Sequence, residues 1–561
     1  MTPTQTKAPG STVRPGFPVA WQQHADDAKL FWQQDPMHFP DPLAPMEAAM
    51  LQRTLGPGFG YGARAYSAPI ERVEVRSVNG YLYQAMVPVQ GTPEEMAALG
   101  GRAEQAIQGV VGRLAELWDD EVLPEVAEHL AAWDAFDLVG ASRSELAAHL
   151  EETWTRLRRV WELHFVTVLP VYLAISEWDE LYRGLFPDSG PLDSYKLLEG
   201  LPNMTVEVGQ ELWQLSRRAL ASDEVRRVLE DTPSAEVPAT LGTTAEGRAF
   251  LADLREYLER YGRRADKWTI TAPSWTEDPT PAIETLREFA RRSDADAPDV
   301  MTQLAAVGRD RAIAEARERL AGYPAAIIGQ FEAMLSAAQI ATVLTEDHNF
   351  WIDNMTIHHF RAVLLACGAR LVQDGAVVRA EDVLMLQPDE LRSALAAPGA
   401  DLRPVVERRA AAMERQRALQ PPAVLGTLPT LPPPDDAFGR FVAKFFGAPP
   451  AEAEVEGELH GAAGSAGRVR GTARIIRSIA DAGRLRPGDI LVAETTAPPW
   501  TPLFATVAAV VTDTGGVLSH CAVVAREYGI PAVVGTAAAS RVIADGQRIE
   551  VDGDAGVVRI L

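Results

Sequence analysis

Cysteine is nearly missing from this chain: Cys367 and Cys521 are the only two in 561 residues. No metal-ligand spacing links them, so a secreted disulfide framework is excluded and a reducing, cytoplasmic setting is expected. Basic residues are also outnumbered. The formal net charge is −24, with no Lys/Arg-dense stretch. A nucleic-acid or anionic-membrane binder needs a basic face, so neither partner is expected, and the acidity reads as solubility. There is no run of 18 apolar residues, and Met1 to Phe17 is polar and Pro/Gly-rich. Neither a membrane span nor a signal peptide is expected. No repeat of 20–50 residues and no clear metal-ligand cluster is visible.

What is present divides into three parts. Residues 1–440 read as a mainly helical body, 441–455 as a hinge linker and 456–561 as a small α/β domain. The body opens irregularly and carries a hairpin from Val73 to Val87 around Asn79-Gly80. From about residue 92 the pattern is helical. Thr92-Pro93-Glu94-Glu95 combines an N-cap, a Pro at the first helical position and a capping-box Glu. Ser142-Arg143-Ser144-Glu145 repeats the device. Thr271 to Pro281 reads as a loop, as does the Gly-dense stretch Gly56 to Gly62, which lacks the Lys-Ser/Thr of a phosphate loop. Pro421, Pro422, Pro429 and Pro432-Pro433-Pro434 then forbid regular structure and suggest a semi-stiff connector.

The chemistry concentrates in Val510-Val511-Thr512-Asp513-Thr514-Gly515-Gly516-Val517-Leu518-Ser519-His520, which continues to Gly535. It reads as a buried strand, a Gly-Gly loop, a helix, a Gly-containing turn and a second buried strand. His520 falls in the first turn of that helix. Gly515 and Gly516 let backbone N–H groups approach an anion, Thr514 and Ser519 supply hydroxyls, and the helix N-terminus favours negative charge. A neutral imidazole placed there can attack a phosphoryl group and carry it.

This run resembles the phosphohistidine motif of phosphoenolpyruvate synthase, pyruvate phosphate dikinase and rifampicin phosphotransferase. The matching positions are Thr514, Gly515-Gly516, His520, Ala525-Arg526 and Gly529 to Gly535, with Gly488 to Val492 and Pro499 to Leu503 upstream. The body resembles the substrate-binding domain of rifampicin phosphotransferase and the large subunit of phenylphosphate synthase. That likeness rests on Pro40 to Pro45, Tyr261-Gly262-Arg263-Arg264, Pro273 to Pro279, Glu381 to Leu386 and Asp389-Glu390-Leu391. The resemblance implies a bacterial, mainly helical substrate domain followed by a swivelling α/β domain, with His520 as carrier. It also implies ATP and Mg²⁺, bound mainly by a separate ATP-grasp subunit, because no nucleotide pattern is visible here. Only Cys521 to Leu561 follow His520, far short of the ~250 residues of a TIM barrel. A phosphoenolpyruvate-side barrel is therefore expected to be absent.

The acceptor side is sought on the helical pattern Ala337 to Val372. Glu346, Asn349 and Asp353 share a face at ~100° per residue. Glu346 could take the proton of an acceptor hydroxyl. The rifampicin enzymes resemble this helix with Arg-Glu-x-x-Lys, where this chain has Thr345, Glu346 and Asn349, so two cations are lost. Arg263 and Arg264 are candidate replacements. His348, expected to face away from the stripe, and His38 are further substrate-binding candidates. The reading that follows is a phosphotransferase component acting on a hydroxyl of a small aromatic or alicyclic molecule. Two alternatives stay open: a dehydrating or condensing enzyme using the same phosphohistidine, and a non-catalytic regulator or scaffold.

Overall fold

The computed structural model describes residues 16–19, 26–428, 440, 444, 457–477, 479–496 and 500–561. Pro429, the prolines at 432–434, the linker 441–455 apart from Lys444, and Pro499 lie outside these residues. The chain is mostly helical, with a small α/β region at its C-terminal end. Packing divides it into two compact units. One comprises Met1–Ile107, Glu128–Val166 and His359–Pro434, and the other Gln108–Ala127, Thr167–His358 and Asp435–Leu561. This division follows packing and so differs from the chain-order division at 440 and 456.

The first unit holds a four-stranded antiparallel sheet. Its strands are β1 (Phe31–Gln34), β2 (Ile70–Val78), β3 (Tyr81–Pro88) and β4 (Val424–Gly426), in the order β2-β3-β1-β4. The hairpin between β2 and β3 turns on Asn79 and Gly80, at φ 50° and 86°. Two successive left-handed residues twist the way a two-residue hairpin requires. The expected capping boxes are present: Thr92 and Glu95 exchange hydrogen bonds at the start of the helix Pro93–Val111. Ser142 and Glu145 do the same at the helix Arg143–Leu185.

The Gly-dense stretch is not a loop. It forms the second half of the helix Pro45–Ala65, and Gly56, Gly58, Gly60 and Gly62 are buried. A Cβ on Gly58 would stand 2.7 Å from the Trp161 carbonyl oxygen, and one on Gly62 would stand 2.9 Å from Phe165. Close backbone approach, of a neighbouring helix at Gly58 and Gly62 and of β2 at Gly56, rather than a turn, is what these glycines serve, and packing outweighs their poor helix propensity.

The second unit combines helices from residues 167–358 with an eight-stranded sheet. The strands are β5 (Glu458–His460), β6 (Ala462–Ser465), β7 (Arg468–Ile475), β8 (Asp489–Ala493), β9 (Ala509–Thr512), β10 (Ala532–Val534), β11 (Arg548–Asp552) and β12 (Val557–Ile560). Their order is β5-β12-β11-β7-β8-β9-β10-β6, and β7, β8, β9 and β10 run parallel. Alternate side chains feed two cores. Ile490, Val492, Ala509, Val511 and Val533 pack on one face with Ile543, Ile549 and Val551. Leu491, Ala493, Val510, Ala532 and Val534 pack on the other, with Trp500, Phe504 and Cys521. Trp275 and Ala282 of the helical part join that second cluster, so one face of the sheet region shares a core with the helices.

Two helical runs, Arg143–Leu185 and Ala325–Gln373, have the length and mean hydropathy, 1.2 and 1.4, of a membrane crossing. Neither contains a run of 18 apolar residues; the averages are over windows with scattered polar residues, and 78% of the first window is buried within the protein, as in a core helix. Those polar residues have partners within the second unit. Asp179 accepts from Ser194 and Lys444, and Glu346 accepts from Thr205.

Candidate active site

His520 is the first residue of the helix His520–Glu527, which follows β9 and a loop. Gly515 in that loop has φ 99°, and Gly529 after the helix has φ 61°, both left-handed values that favour glycine. Arg526 locks the arrangement from beneath. Its buried guanidinium donates to the carbonyls of Gly464 and Val517 at 2.8 and 3.0 Å and lies over the Tyr195 ring. The Leu518 N–H donates to the Lys444 carbonyl, and the Lys444 ammonium sits 3.0 Å from Asp179. The loop before His520 is thereby tied to the helix Arg143–Leu185.

Nδ1 of His520 lies 3.2 Å from Glu346 Oε1, and its Nε2 lies 3.4 Å from the Thr501 hydroxyl. The other carboxylate oxygen of Glu346 accepts from Thr205 at 2.6 Å. Burial, with 5% of the side chain exposed, opposes ionisation of Glu346. The charge and hydrogen bond of His520, together with Thr205, outweigh it and hold the carboxyl below its usual range. An ionised carboxylate only accepts, so the contact is made by an Nδ1–H of His520 that donates to Glu346.

Glu346, Asn349 and Asp353 do not follow an ideal α-helix. The run Asn349–Asn354 is one π-helical segment between the α-helices Ala325–His348 and Met355–Gln373. Its wider turn brings residues five apart together. His348, expected to face away, therefore has Nε2 3.9 Å from Asp353 Oδ2, while its Nδ1 is 2.6 Å from the Leu344 carbonyl. Asn349 donates to Asp353 at 3.2 Å and receives Asn354 on its own side-chain oxygen. Burial and the charges of Glu346 and Asp353 push the Tyr172 phenol well above its ordinary range.

The other sequence candidates fall as follows. Arg264 is buried and Arg263 beside it is half-buried. The Thr514 hydroxyl donates to the Glu494 carbonyl. The buried Ser519 Oγ, immediately before His520, has no hydrogen-bond partner among the described residues. His38 belongs to the first unit, where its Nδ1 lies 2.9 Å from Asp35.

Sequence reasoning missed Thr205, Thr501 as a partner of His520, and the buried acids around the helix. Met204, next to Thr205, follows the N-cap Asn203, which was the available signal. Glu527 accepts from the Gly200 N–H at 2.9 Å. Burial, reinforced by Glu199 and Glu346 against Arg526, pushes its carboxyl up to about 8. Asp347 rises to about 6 through burial, although the Met204 N–H donates to it. Two crevices flank the helix. One is lined by Tyr172, Thr345, Arg526 and Glu527, the other by Thr205, Glu346, Thr501 and Glu527, and each has about 20 Å³ of space. That is room for about one water molecule.

His520 and Glu346 fall within stretches of the chain that match two domain types. Residues 485–556 match the PEP-utilising enzyme mobile domain, and residues 166–346 match the rifampicin phosphotransferase fourth domain. The chain carries both domains. Among its relatives, chondramide synthase cmdD of Chondromyces crocatus is 40% identical over 99% of this chain, which covers 14% of that protein. The uncharacterised phosphotransferase YvkC of Bacillus subtilis is 27% identical over 95% of the chain and 62% of its own length. A rifampicin phosphotransferase of a Streptomyces species is 35% identical over 64% of the chain and 40% of its own length. The chain thus spans less than two thirds of each of these relatives.

Proposed function

We propose that this chain is a phosphotransferase component in which His520 accepts a phosphoryl group and passes it to a hydroxyl of a small aromatic or alicyclic molecule. The observation that carries the reading is the His520–Glu346 pair. With Nδ1–H held by Glu346, phosphorylation falls on Nε2. In the transfer step the acceptor oxygen bonds to phosphorus, the P–Nε2 bond breaks, and His520 leaves as neutral imidazole with its proton on Nδ1. Glu346, once released from Nδ1–H, takes the hydroxyl proton, so charge is conserved. Ser519, with its unengaged hydroxyl, and the loop of Thr514, Gly515 and Gly516 are the proposed phosphate contacts. Asn349, Asp353 and His348 would line the acceptor side of the long helix.

The phosphoryl donor in this reading is ATP with Mg²⁺, held by a separate ATP-grasp subunit. The crevices beside the helix, about 20 Å³ each, do not fit a nucleotide. The linker 441–455 would let the sheet domain swing between that subunit and the helical part. The test is incubation with a candidate ATP-grasp subunit and β- or γ-labelled ATP. Label is expected on wild type and absent from His520→Ala; label kept in that variant refutes the reading. Mass analysis of the product then separates gain of a phosphoryl group from loss of water.

A further inference from the structure

We propose that Arg264 is the cation that holds the phosphoryl group carried by His520, taking the place of the cationic pair missing from positions 345 and 349. This rests on the reading of His520 as a phosphoryl carrier. Arg264 is only 4% exposed, and its Nε has no hydrogen-bond partner. No side-chain hydrogen bond or ion pair holds its guanidinium among the described residues. It lies over the Trp275 ring, 5.1 Å from guanidinium carbon to ring centroid. A buried guanidinium stays charged and has five N–H donors, so leaving them unengaged is costly and calls for an anion.

The surrounding hydrogen bonds tie the loop of Arg264 to a neighbour of His520. The Trp275 N–H donates to the Arg264 carbonyl at 2.9 Å, and its indole N–H donates to Asp266 at 3.0 Å. The Trp500 indole N–H donates to the Asp266 carbonyl at 3.1 Å. Trp500 precedes Thr501, whose hydroxyl lies against Nε2 of His520. The loop bearing Arg264 is therefore fastened to the residue that touches the nucleophilic nitrogen. Burial lowers the guanidinium from its ordinary value, while Tyr257, Glu346 and Asp266 act on it through space in the opposite direction. Glu346 is the carboxylate bonded to His520. A phosphoryl dianion on His520 supplies the multidentate anionic acceptor that the planar guanidinium is shaped to bind. A carboxylate on the acceptor molecule has the same chemistry, and the test separates the two sources.

The full-length chain is treated with phosphoramidate, which phosphorylates histidine chemically, and the His520 phosphorus resonance is followed against pH by ³¹P NMR. In wild type it is expected to titrate about one pH unit or more below free phosphohistidine. Arg264→Met is expected to abolish that lowering, and Arg264→Lys to keep part of it, with thermal melting verifying the fold of each. Wild-type behaviour in a folded Arg264→Met overturns the proposal and leaves the guanidinium to an acceptor carboxylate. If only the lysine variant folds, a titration identical to wild type overturns it as well. Phosphorylation of other histidines without His520 in wild type overturns the carrier reading itself, a different and separable failure.

Discussion

Nδ1 of His520 and Oε1 of Glu346 meet at 3.2 Å across 174 residues of chain. One is the first residue of a short helix of the sheet region and the other sits on a long helix of the helical part. The contact pairs a candidate carrier with a candidate base.

Glu346 should set the tautomer of His520. In ¹⁵N-labelled protein near neutral pH, wild type is expected to show the Nδ1–H form of the His520 ring. Glu346→Gln keeps the shape and the contact with Thr205 but removes the charge. Its amide can donate to as well as accept from the ring, so the Nδ1–H preference should weaken and transfer from His520 should slow about 100-fold. An unchanged tautomer in the variant would count against the pairing.

Glu527 should make stability fall as pH rises. Its carboxyl is raised from 4.5 to about 8 by burial among Glu199 and Glu346, with Arg526 and the Gly200 N–H opposing. The folded state binds the proton more tightly than the unfolded chain. The contribution is therefore intact below about pH 4.5 and is lost at about 1.4 kcal/mol per pH unit up to the folded value. Glu527→Gln should flatten the denaturation midpoint between pH 5 and 8, and a slope as steep as in wild type would contradict this.

Arg526 should be structurally indispensable. Replacing it by Met leaves the carbonyls of Gly464 and Val517 without their donor and empties the face of Tyr195. A loss of about 3 kcal/mol is expected from urea denaturation, with faster amide exchange around β6 and residue 517. A variant as stable as wild type would show that these bonds contribute little.

Gly58 and Gly100 should respond oppositely to alanine. Both lie inside helices, but a Cβ at Gly58 meets the Trp161 carbonyl at 2.7 Å whereas one at Gly100 meets nothing. Gly58→Ala is expected to cost about 1–3 kcal/mol, and Gly100→Ala to gain up to about 1 kcal/mol. Thermal melting of the two variants reads the sign directly.

Local devices were legible in the sequence because their causes are local. The Asn79-Gly80 hairpin follows from two residues that accept positive φ, and the Thr92–Glu95 and Ser142–Glu145 boxes from side chains three residues apart. The strand-loop-helix-strand order around His520 follows likewise from alternating apolar runs and glycines. Where a local pattern had two physical meanings, the sequence misled. Glycines at 56–62 suit a loop or a tight helix contact equally, and the neighbouring helix decides. The π-helical turn at 349–354 rotates His348 onto Asp353, which a fixed 100° step does not anticipate.

The amino-acid order by itself marked His520 as the candidate carrier and determined its glycine loop and the helix bearing Glu346, since each depends on residues near in the chain. Tertiary structure alone decided that Glu346 reaches Nδ1, that Thr501 faces Nε2, and that Arg264 is buried on Trp275 while Arg263 is half-buried. Those are distances between segments far apart in sequence. Through-space fields and loss of water, which no spacing encodes, turn them into chemistry.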